Sequence, residues 1–281
     1  MTAPPAAKRA RPPALNAAVS TLEVPGLGQP YGILVLADGT RVVSTEQNRL
    51  QLLTPAGLLA TLAGGNDHDD GDADDDDDAT LRYDASLVDG QGLAARFNEP
   101  GGMTVDAAGH IVVVDSANDA LRRVSKAGEV STLAGNANRL PGFADGQGDA
   151  ARFDSPDGVA LAANDSIVVA DTGNHAIRVV MPGGAVRTLA GSGEAGFADG
   201  QGAAARFNHP AGLARDKDGS ILVADRGNHA VRRVTMEADV STVAGNGEAG
   251  YAEGEGTAAR FSSPADVRGG GQGGHDSGGG P

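Results

Sequence analysis

The chain has 281 residues and a mass of 28.0 kDa, with 43 glycines, no cysteine, no tryptophan and only 3% aromatic residues. The absence of cysteine excludes disulfides, zinc–thiolate sites and thiol catalysis. A formal net charge of −15 argues against binding to a phosphate backbone, and no stretch of roughly 18 apolar residues could span a membrane. The hydrophobic content of 40% is still enough for a core.

The first segment, residues 1–18, is rich in proline and alanine and is predicted to be disordered. It contains no apolar region of the kind found in secretory signals. Its basic residues Lys8, Arg9 and Arg11 resemble a short nuclear-import signal. Because no acidic residue precedes Glu23, an organelle transit peptide is the alternative. The sequence therefore predicts an intracellular protein, either nuclear or cytoplasmic.

A dense acidic tract follows at residues 67–78, which contain nine aspartates and no basic residue. Carboxylates at this density repel one another, so we predict a disordered loop over residues 66–79. A calcium site is the alternative, but it needs ligands at fixed spacing around a turn glycine, and Asp74 to Asp78 form an unbroken run. The glycine-rich residues 268–281 are predicted to be a disordered tail, which leaves residues 19–267 as the folded domain.

An internal repeat organises this domain. The string Ala-Arg-Phe occurs four times, at spacings of 56, 54 and 54 residues, and a proline follows three residues after each phenylalanine. The phenylalanines are Phe97, Phe153, Phe207 and Phe261. A second landmark of polar residues recurs at Asp115, Asn118 and Arg122, at Asp171, Asn174, His175 and Arg178, and at Asp225, Asn228, His229 and Arg232. Repetition at a fixed period indicates a repeat architecture.

Each repeat has the pattern of four short strands that are rich in valine and isoleucine and separated by turn residues. In the copy that starts at Pro156, the strands are predicted at Gly158–Ala162, Ser166–Ala170, Ala176–Met181 and Val186–Ala190. Four antiparallel strands with short connections are typical of one blade of a β-propeller. Because a single blade cannot bury both of its faces, the blades must stack around an axis. The predicted fold is an all-β propeller with four near-complete blades and an incomplete fifth.

The number of strands does not close a ring. Val19 to Leu22 match a fourth strand, whereas Pro264 to Val267 begin a fifth copy that runs into the glycine-rich tail. Three interpretations remain: a truncated gene product, an open arc of four blades covered by another chain, or a small four-bladed ring. Truncation is the interpretation we favour, because the motif stops within a strand. An open arc would expose apolar blade faces and predicts self-association through the unclosed edge.

Long loops with a Gly-aromatic-Ala-acid-Gly pattern separate the later blades, and the first blade lacks this insertion. Since these loops recur at one rim, that rim is predicted to be the interaction face. The candidate interaction residues are Phe143, Asp145, Phe197, Asp199, Tyr251 and Glu253. The Ala-Arg-Phe phenylalanines and the loop aromatics are predicted to be wedges between blades, because they occur at fixed repeat positions.

These motifs resemble NHL repeats. The string from Phe153 to Gly158, followed by Asp171 to Arg178, is similar to the signature of that family, and the copy that begins at Phe207 matches as well. The long loop resembles a subtype found in plant, algal and bacterial proteins. The resemblance implies a propeller that presents a protein-, RNA- or ligand-binding surface. A few propellers related to this family are enzymes, such as amidating lyases, which use metal-ligating histidine and aspartate. The resemblance therefore also allows an enzymatic function for this chain.

A catalytic residue is normally singular, whereas the motif aspartates, histidines and arginines recur in each good blade. We therefore predict structural roles for them, no cofactor or metal, and a non-enzymatic module that binds another protein. One alternative is a hydrolase or lyase with a metal in the axial channel, held by His175 and His229. RNA binding is a further alternative, which the acidic charge disfavours.

Overall fold

The computed structural model describes residues 24–65, 87–135 and 140–269. These ranges contain 19 strands and six one-turn 3-10 helices, in agreement with the predicted all-β class. Within them, no helix is long and apolar enough to cross a membrane. Several predictions fall on residues outside the described ranges: the disordered N-terminal segment with Lys8, Arg9 and Arg11, the strand Val19–Leu22, the acidic loop, and all of the tail beyond Gly269.

The first blade is a four-stranded antiparallel sheet. Its strands are β1 (Pro30–Val35), β2 (Arg41–Thr45), β3 (Arg49–Leu53) and β4 (Leu59–Ala63), and they lie side by side in chain order. Strand β1 lies innermost and contacts the innermost strand of the next blade. The blade therefore has the up-and-down order expected for a propeller.

The next three blades repeat this order with one additional strand each. Blade 2 contains β5 (Gly90–Gln91), β6 (Pro100–Val105), β7 (Ile111–Asp115), β8 (Ala120–Val124) and β9 (Glu129–Ala134). Blade 3 contains β10 (Gly146–Gln147), β11 (Val159–Leu161), β12 (Ile167–Asp171), β13 (Ala176–Val180) and β14 (Ala185–Ala190). Blade 4 contains β15 (Gly200–Gln201), β16 (Pro210–Arg215), β17 (Ile221–Asp225), β18 (Ala230–Val234) and β19 (Asp239–Ala244).

The additional strand in each of these blades comes from the preceding long loop. Gly146 and Gln147 pair with Val186 and Ala185 at the outer edge of blade 3, so the sheet order is β10-β14-β13-β12-β11. The four main strands predicted for each blade are confirmed, and in blades 2 to 4 the Gly-Gln-Gly stretch, which was predicted to be loop, adds a two-residue strand at the outer edge. The four strands predicted for blade 3 are confirmed, each within one residue at either end.

Apolar side chains from neighbouring blades form three separate core clusters, one between each pair of blades. The phenylalanines of the first three Ala-Arg-Phe strings each lie in such a cluster, and the exposed fractions of Phe97, Phe153 and Phe207 are 2%, 0% and 0%. Burying one such side chain contributes roughly 1.5–3 kcal/mol. The loop that precedes a blade thus fills the gap to the blade before it.

The innermost strands approach one another closely at the glycine of each Pro-x-Gly string. The N–H of Gly102 donates to the carbonyl of Asp157 at 3.2 Å, and the N–H of Gly212 donates to that of Ala265 at 2.9 Å. A Cβ on Gly102 would lie 2.7 Å from the Asp157 oxygen. Glycine is needed here because a neighbouring backbone occupies the space of a side chain.

The two outermost blades each have a less covered face. Ile33 of blade 1 is 51% exposed, whereas its counterparts Val159 and Leu213, which face a preceding blade, are 7% and 8% exposed. On the far side of blade 4, Val243 is 36% exposed, compared with 3% for Leu189 of blade 3. The described chain therefore forms four blades followed by the start of a fifth copy, which lies against blade 4.

Candidate functional site in the long loops and motif turns

A buried arginine in the third main strand of blades 2, 3 and 4 joins each blade to its preceding long loop. In blade 3, Arg178 is fully buried. Its Nη1 donates to Asp171 Oδ2 at 2.6 Å and to the carbonyl of Arg152 at 3.1 Å, and its Nη2 donates to the carbonyl of Ala144 at 2.9 Å and to Asp145 Oδ1 at 2.8 Å. The same contacts link Arg122 with Asp115 and Asp89, and Arg232 with Asp225 and Asp199.

The motif aspartate beside this arginine accepts one hydrogen bond from the backbone and one from a side-chain amide. Asp171 Oδ1 accepts the N–H of Asp154 at 2.8 Å, and Oδ2 accepts Nδ2 of Asn174 at 2.9 Å. Burial raises the pKa of Asp171 to about 6, although the Asp154 N–H, Asn174 and Arg178 all oppose this. The free-energy cost of desolvating the carboxylate therefore exceeds the stabilisation that its hydrogen bonds and Arg178 provide. Burial likewise raises the pKa of Asp115 and of Asp225.

The loop aspartate on the other side of the arginine has the opposite shift. Burial alone would raise the pKa of Asp145, but hydrogen bonds from Thr188 and Arg178 outweigh it and lower the pKa. The side chain of Asp145 is 54% exposed. Asp145 and its counterpart Asp199 were predicted as interaction residues. Each already accepts hydrogen bonds from an arginine and a threonine of the chain itself.

The loop aromatics lie over the same arginines. The ring centroids of Phe143 and Phe153 are 4.9 Å and 5.4 Å from the Arg178 guanidinium carbon, and Phe197 is 4.9 Å from that of Arg232. These distances are those of cation–π contacts. Phe143 and Phe197 nevertheless remain 42% and 41% exposed, so each presents part of its ring to solvent.

The long loop of the fifth repeat copy differs from the others in its aromatic position. An Ala252–Arg260 bridge closes the loop on itself, and the N–H of Gly245, at the end of blade 4, donates to the carbonyl of Gly256, as in the other loops. Yet Tyr251 is 91% exposed, and Glu253 is exposed as well. In the described part of the chain, no third strand follows that could supply an arginine to this loop. Phe261, at the position of the buried phenylalanines, is partly buried.

A second set of contacts joins successive blades at the turn between their second and third main strands. His175 Nδ1 accepts the N–H of His209 at 3.1 Å, and His229 Nδ1 accepts the N–H of Ser263 at 3.0 Å. Asn48 Oδ1 accepts the N–H of Glu99 at 2.9 Å. Asp119 Oδ1 accepts the N–H of Ser155 at 2.7 Å. Side chains of three types, asparagine, aspartate and histidine, therefore make the equivalent inter-blade contact in the four turns.

This geometry fixes the tautomer of both motif histidines. Since Nδ1 accepts a hydrogen bond in His175 and in His229, the neutral ring carries its proton on Nε2. Each ring serves a different inter-blade contact, so the structure does not bring the two histidines together as a pair. Among residues 24–65, 87–135 and 140–269, no group of three or more His, Asp or Glu could hold a metal ion.

An axial cavity of about 1180 Å³ is lined by the innermost strands. Asp157 and Asp266 lie on its lining. Burial raises the pKa of Asp157, Arg226 opposes the increase and Asp266 adds to it. Asp157 was not among the functional residues predicted from the sequence. It could have been recognised because it departs from the repeat: the corresponding residues of blades 2 and 4 are Gly101 and Ala211.

Comparisons with known proteins agree with this architecture. The NHL repeat family model matches residues 153–180 and 207–233. NHL repeat-containing protein 2 is 39% identical over 111 residues in Gallus gallus and 41% identical over 109 residues in Homo sapiens; each match covers 37% of this chain and 15% of the relative. The Arabidopsis thaliana protein SUPPRESSOR OF QUENCHING 1, chloroplastic, is 31% identical over 163 residues, covering 55% of this chain and 16% of that protein. The matched regions thus span about one-sixth of these relatives or less.

Several solved structures share the fold at low sequence identity. An auxiliary nutrient binding protein from Bacteroides ovatus has a TM-score of 0.58 and 18% identity, covering 86% of this chain and 54% of its own. Catalytically inactive virginiamycin B lyase from Staphylococcus aureus, solved with quinupristin, has a TM-score of 0.51 and 14% identity, covering 82% and 60%. At these identities the likeness concerns the fold alone. The chain therefore contains two NHL repeats, at residues 153–180 and 207–233, within a β-propeller of four blades.

Proposed function

We propose that this propeller is a protein-binding module whose partner contacts the long-loop rim, the surface formed by the loops that precede blades 2, 3 and 4 and the fifth copy. The observation that carries the proposal is the 91% exposure of Tyr251 on a folded loop. A large aromatic ring at such a position is typical of an interface anchor. Phe197 lies on the adjoining loop, since a Cβ on Gly247 would be 3.1 Å from its ring.

The charge of the rim defines the chemistry of the partner. Glu194 and Glu248 are 76% and 66% exposed, and each pairs with a partly exposed arginine, Arg206 at 2.5 Å and Arg260 at 2.8 Å. Exposed ion pairs of this kind contribute at most about 1 kcal/mol, so a partner can replace them at little cost. Residues 79–267 carry 16 basic and 24 acidic residues. We therefore expect a basic partner surface that offers an apolar pocket for Tyr251.

A non-enzymatic role is supported by what the motif residues already do. Asp171, Arg178 and His175 are each engaged in contacts that recur in other repeats. The alternative is a hydrolase or lyase with a metal held by His175 and His229. It has less support, because both Nδ1 atoms accept backbone hydrogen bonds in separate turns. RNA binding has less support because the folded body is acidic.

Affinity capture with three forms of the full chain tests the proposal. The wild type, Tyr251→Ser and the control Leu58→Ser are compared by quantitative mass spectrometry. Leu58 suits the control because it is 67% exposed in blade 1, which lacks the long loop. Removing an interface anchor weakens binding by about 2 kcal/mol or more. Tyr251→Ser is therefore expected to raise the Kd for the partner roughly 30-fold, and Leu58→Ser is expected to leave it unchanged.

Three outcomes would count against the proposal. If Tyr251→Ser retains every partner that the wild type captures, the rim is not the interface. Stoichiometric zinc or calcium in the purified protein would instead favour the enzyme, and salt-sensitive RNA retention would favour RNA binding.

A further inference from the structure

The four inter-blade contacts at the motif turns use acceptors that differ in their response to acid. Asn48 accepts through an amide oxygen, which does not titrate. His175 accepts through Nδ1, the atom that gains a proton when the ring becomes an imidazolium. The contact between blades 1 and 2 is thus indifferent to mild acid, whereas the contact between blades 3 and 4 is not.

The contact between blades 3 and 4 contains a second imidazole that has no counterpart in the other repeats. His209, which donates its N–H to His175, stands where the other copies have Glu99, Ser155 and Ser263. The rings of His175 and His209 lie with centroids 4.5 Å apart and planes at 88°. His209 Nδ1 is 2.8 Å from Asn208 Oδ1. A proton on His175 would therefore face both a backbone N–H and a second basic ring.

The groups that face His175 oppose its protonation overall. Burial lowers the pKa of His175, His209 lowers it further, and the carboxylate of Asp154 opposes both. Because the folded pKa is lowered, the contribution to stability is fully present above the ordinary histidine pKa of about 6.5 and is lost as the pH falls through the folded pKa. The neutral ring, with its acceptor in place, is the form that closes the contact near pH 7.

We propose that the contact between His175 and the backbone of His209 is an acid-sensitive switch between blades 3 and 4. Protonation of Nδ1 removes the acceptor for the His209 N–H and frees the end of the long loop that carries Phe197. The contact made by Asn48 between blades 1 and 2 stays closed under the same conditions. The switch depends on these turns alone and stands apart from the identity of any partner.

Hydrogen exchange measured on the full chain at about pH 5 and about pH 8, with each rate corrected for the intrinsic pH dependence, tests this inference. In the wild type, protection of the His209 amide is expected to fall roughly two- to tenfold on acidification, the loss that one hydrogen bond represents. The Glu99 amide, held by Asn48, serves as the internal reference and should keep its protection.

Two variants separate the switch from a general loss of stability. His175→Asn places in this turn the residue that Asn48 already provides at the same position, and the backbone φ is 51° at His175 and 58° at Asn48. It should keep protection at His209 while removing its pH dependence. His209→Ser, which copies Ser155 and Ser263, should move the midpoint to higher pH because the second imidazole is gone. A His209 amide whose protection does not change with pH in the wild type, or a pH step that survives in His175→Asn, would overturn the inference.

Discussion

Replacing Arg178 by methionine should remove more stability than any surface substitution in the chain. Methionine retains much of the aliphatic length but none of the four hydrogen bonds that the guanidinium makes to two carboxylates and two carbonyls. The most damaging consequence concerns Asp171, whose side chain is fully buried and loses its only cationic partner among the contacts described for it. Asp145 is 54% exposed and can return to water.

The magnitude follows from that asymmetry. Removing one partner of a buried ion pair costs about 3–5 kcal/mol, because the other group stays buried and must either keep an uncompensated charge or take up a proton. The half-exposed pair with Asp145 adds at most about 1 kcal/mol. For a folded region of this size, each kcal/mol lowers the Tm by about 2–4 °C, so Arg178→Met is expected to lower it by roughly 6–24 °C.

Urea unfolding followed by circular dichroism, together with a thermal scan, provides the assay. Arg187→Met is the matched control, since Arg187 is exposed on the adjacent strand and its loss should change the free energy of unfolding by less than about 0.5 kcal/mol. The double variant Arg178→Met/Asp171→Asn should recover part of the loss because the uncompensated charge is gone. A loss below about 1 kcal/mol for Arg178→Met, equal to that of the control, would refute the reasoning.

Two further predictions concern a titrating group and a wedge. Burial raises the folded pKa of Asp171 from its ordinary value of 3.8 to about 6, so its contribution to stability is fully present below pH 3.8 and is lost as the pH rises through about 6. The difference in unfolding free energy between wild type and Asp171→Asn should therefore shrink with rising pH. A difference that grows with pH would show that Arg178 outweighs burial. Phe207→Ala should lower the free energy of unfolding by about 3–5 kcal/mol, because it leaves a cavity between blades 3 and 4, whereas Tyr251→Ala should change it by less than about 0.5 kcal/mol. Equal urea midpoints for the two variants would contradict the assignment of Phe207 as a wedge and Tyr251 as a surface residue.

The sequence predicted the elements that repetition makes visible. The blade strands alternate Val- and Ile-rich runs with Gly- or Asn-containing turns, so both propensity and spacing indicated them. The buried phenylalanines followed from their fixed spacing. The two-residue strands such as Gly146–Gln147 could not be predicted, because glycine and glutamine have no strand propensity and their pairing depends on the blade edge they meet.

The long-range contacts of the site were only partly accessible. Pairing of the motif arginines with acidic groups was expected from the sequence, but the loop aspartate was not identified as the partner, although the separation is 33 residues in all three repeats, as in Asp145 and Arg178. The contact between His175 and His209 gave no such signal, since His209 occurs in one copy only. Its partner could be recognised only once the neighbouring blades were placed side by side.

The arginine contacts have a consequence for how the chain is assembled during synthesis. Each of the long loops that precede blades 2, 3 and 4 is held by an arginine 33 residues beyond the loop aspartate and by the outer strand of the blade that follows the loop. The ribosome must therefore have produced the blade that follows the loop, through its outer strand Ala185–Ala190, before the wedge Phe153 can be locked against the preceding blade. Folding then advances in steps of one repeat, each step closing the interface behind it, and a pause in translation within a repeat leaves only the newest interface open.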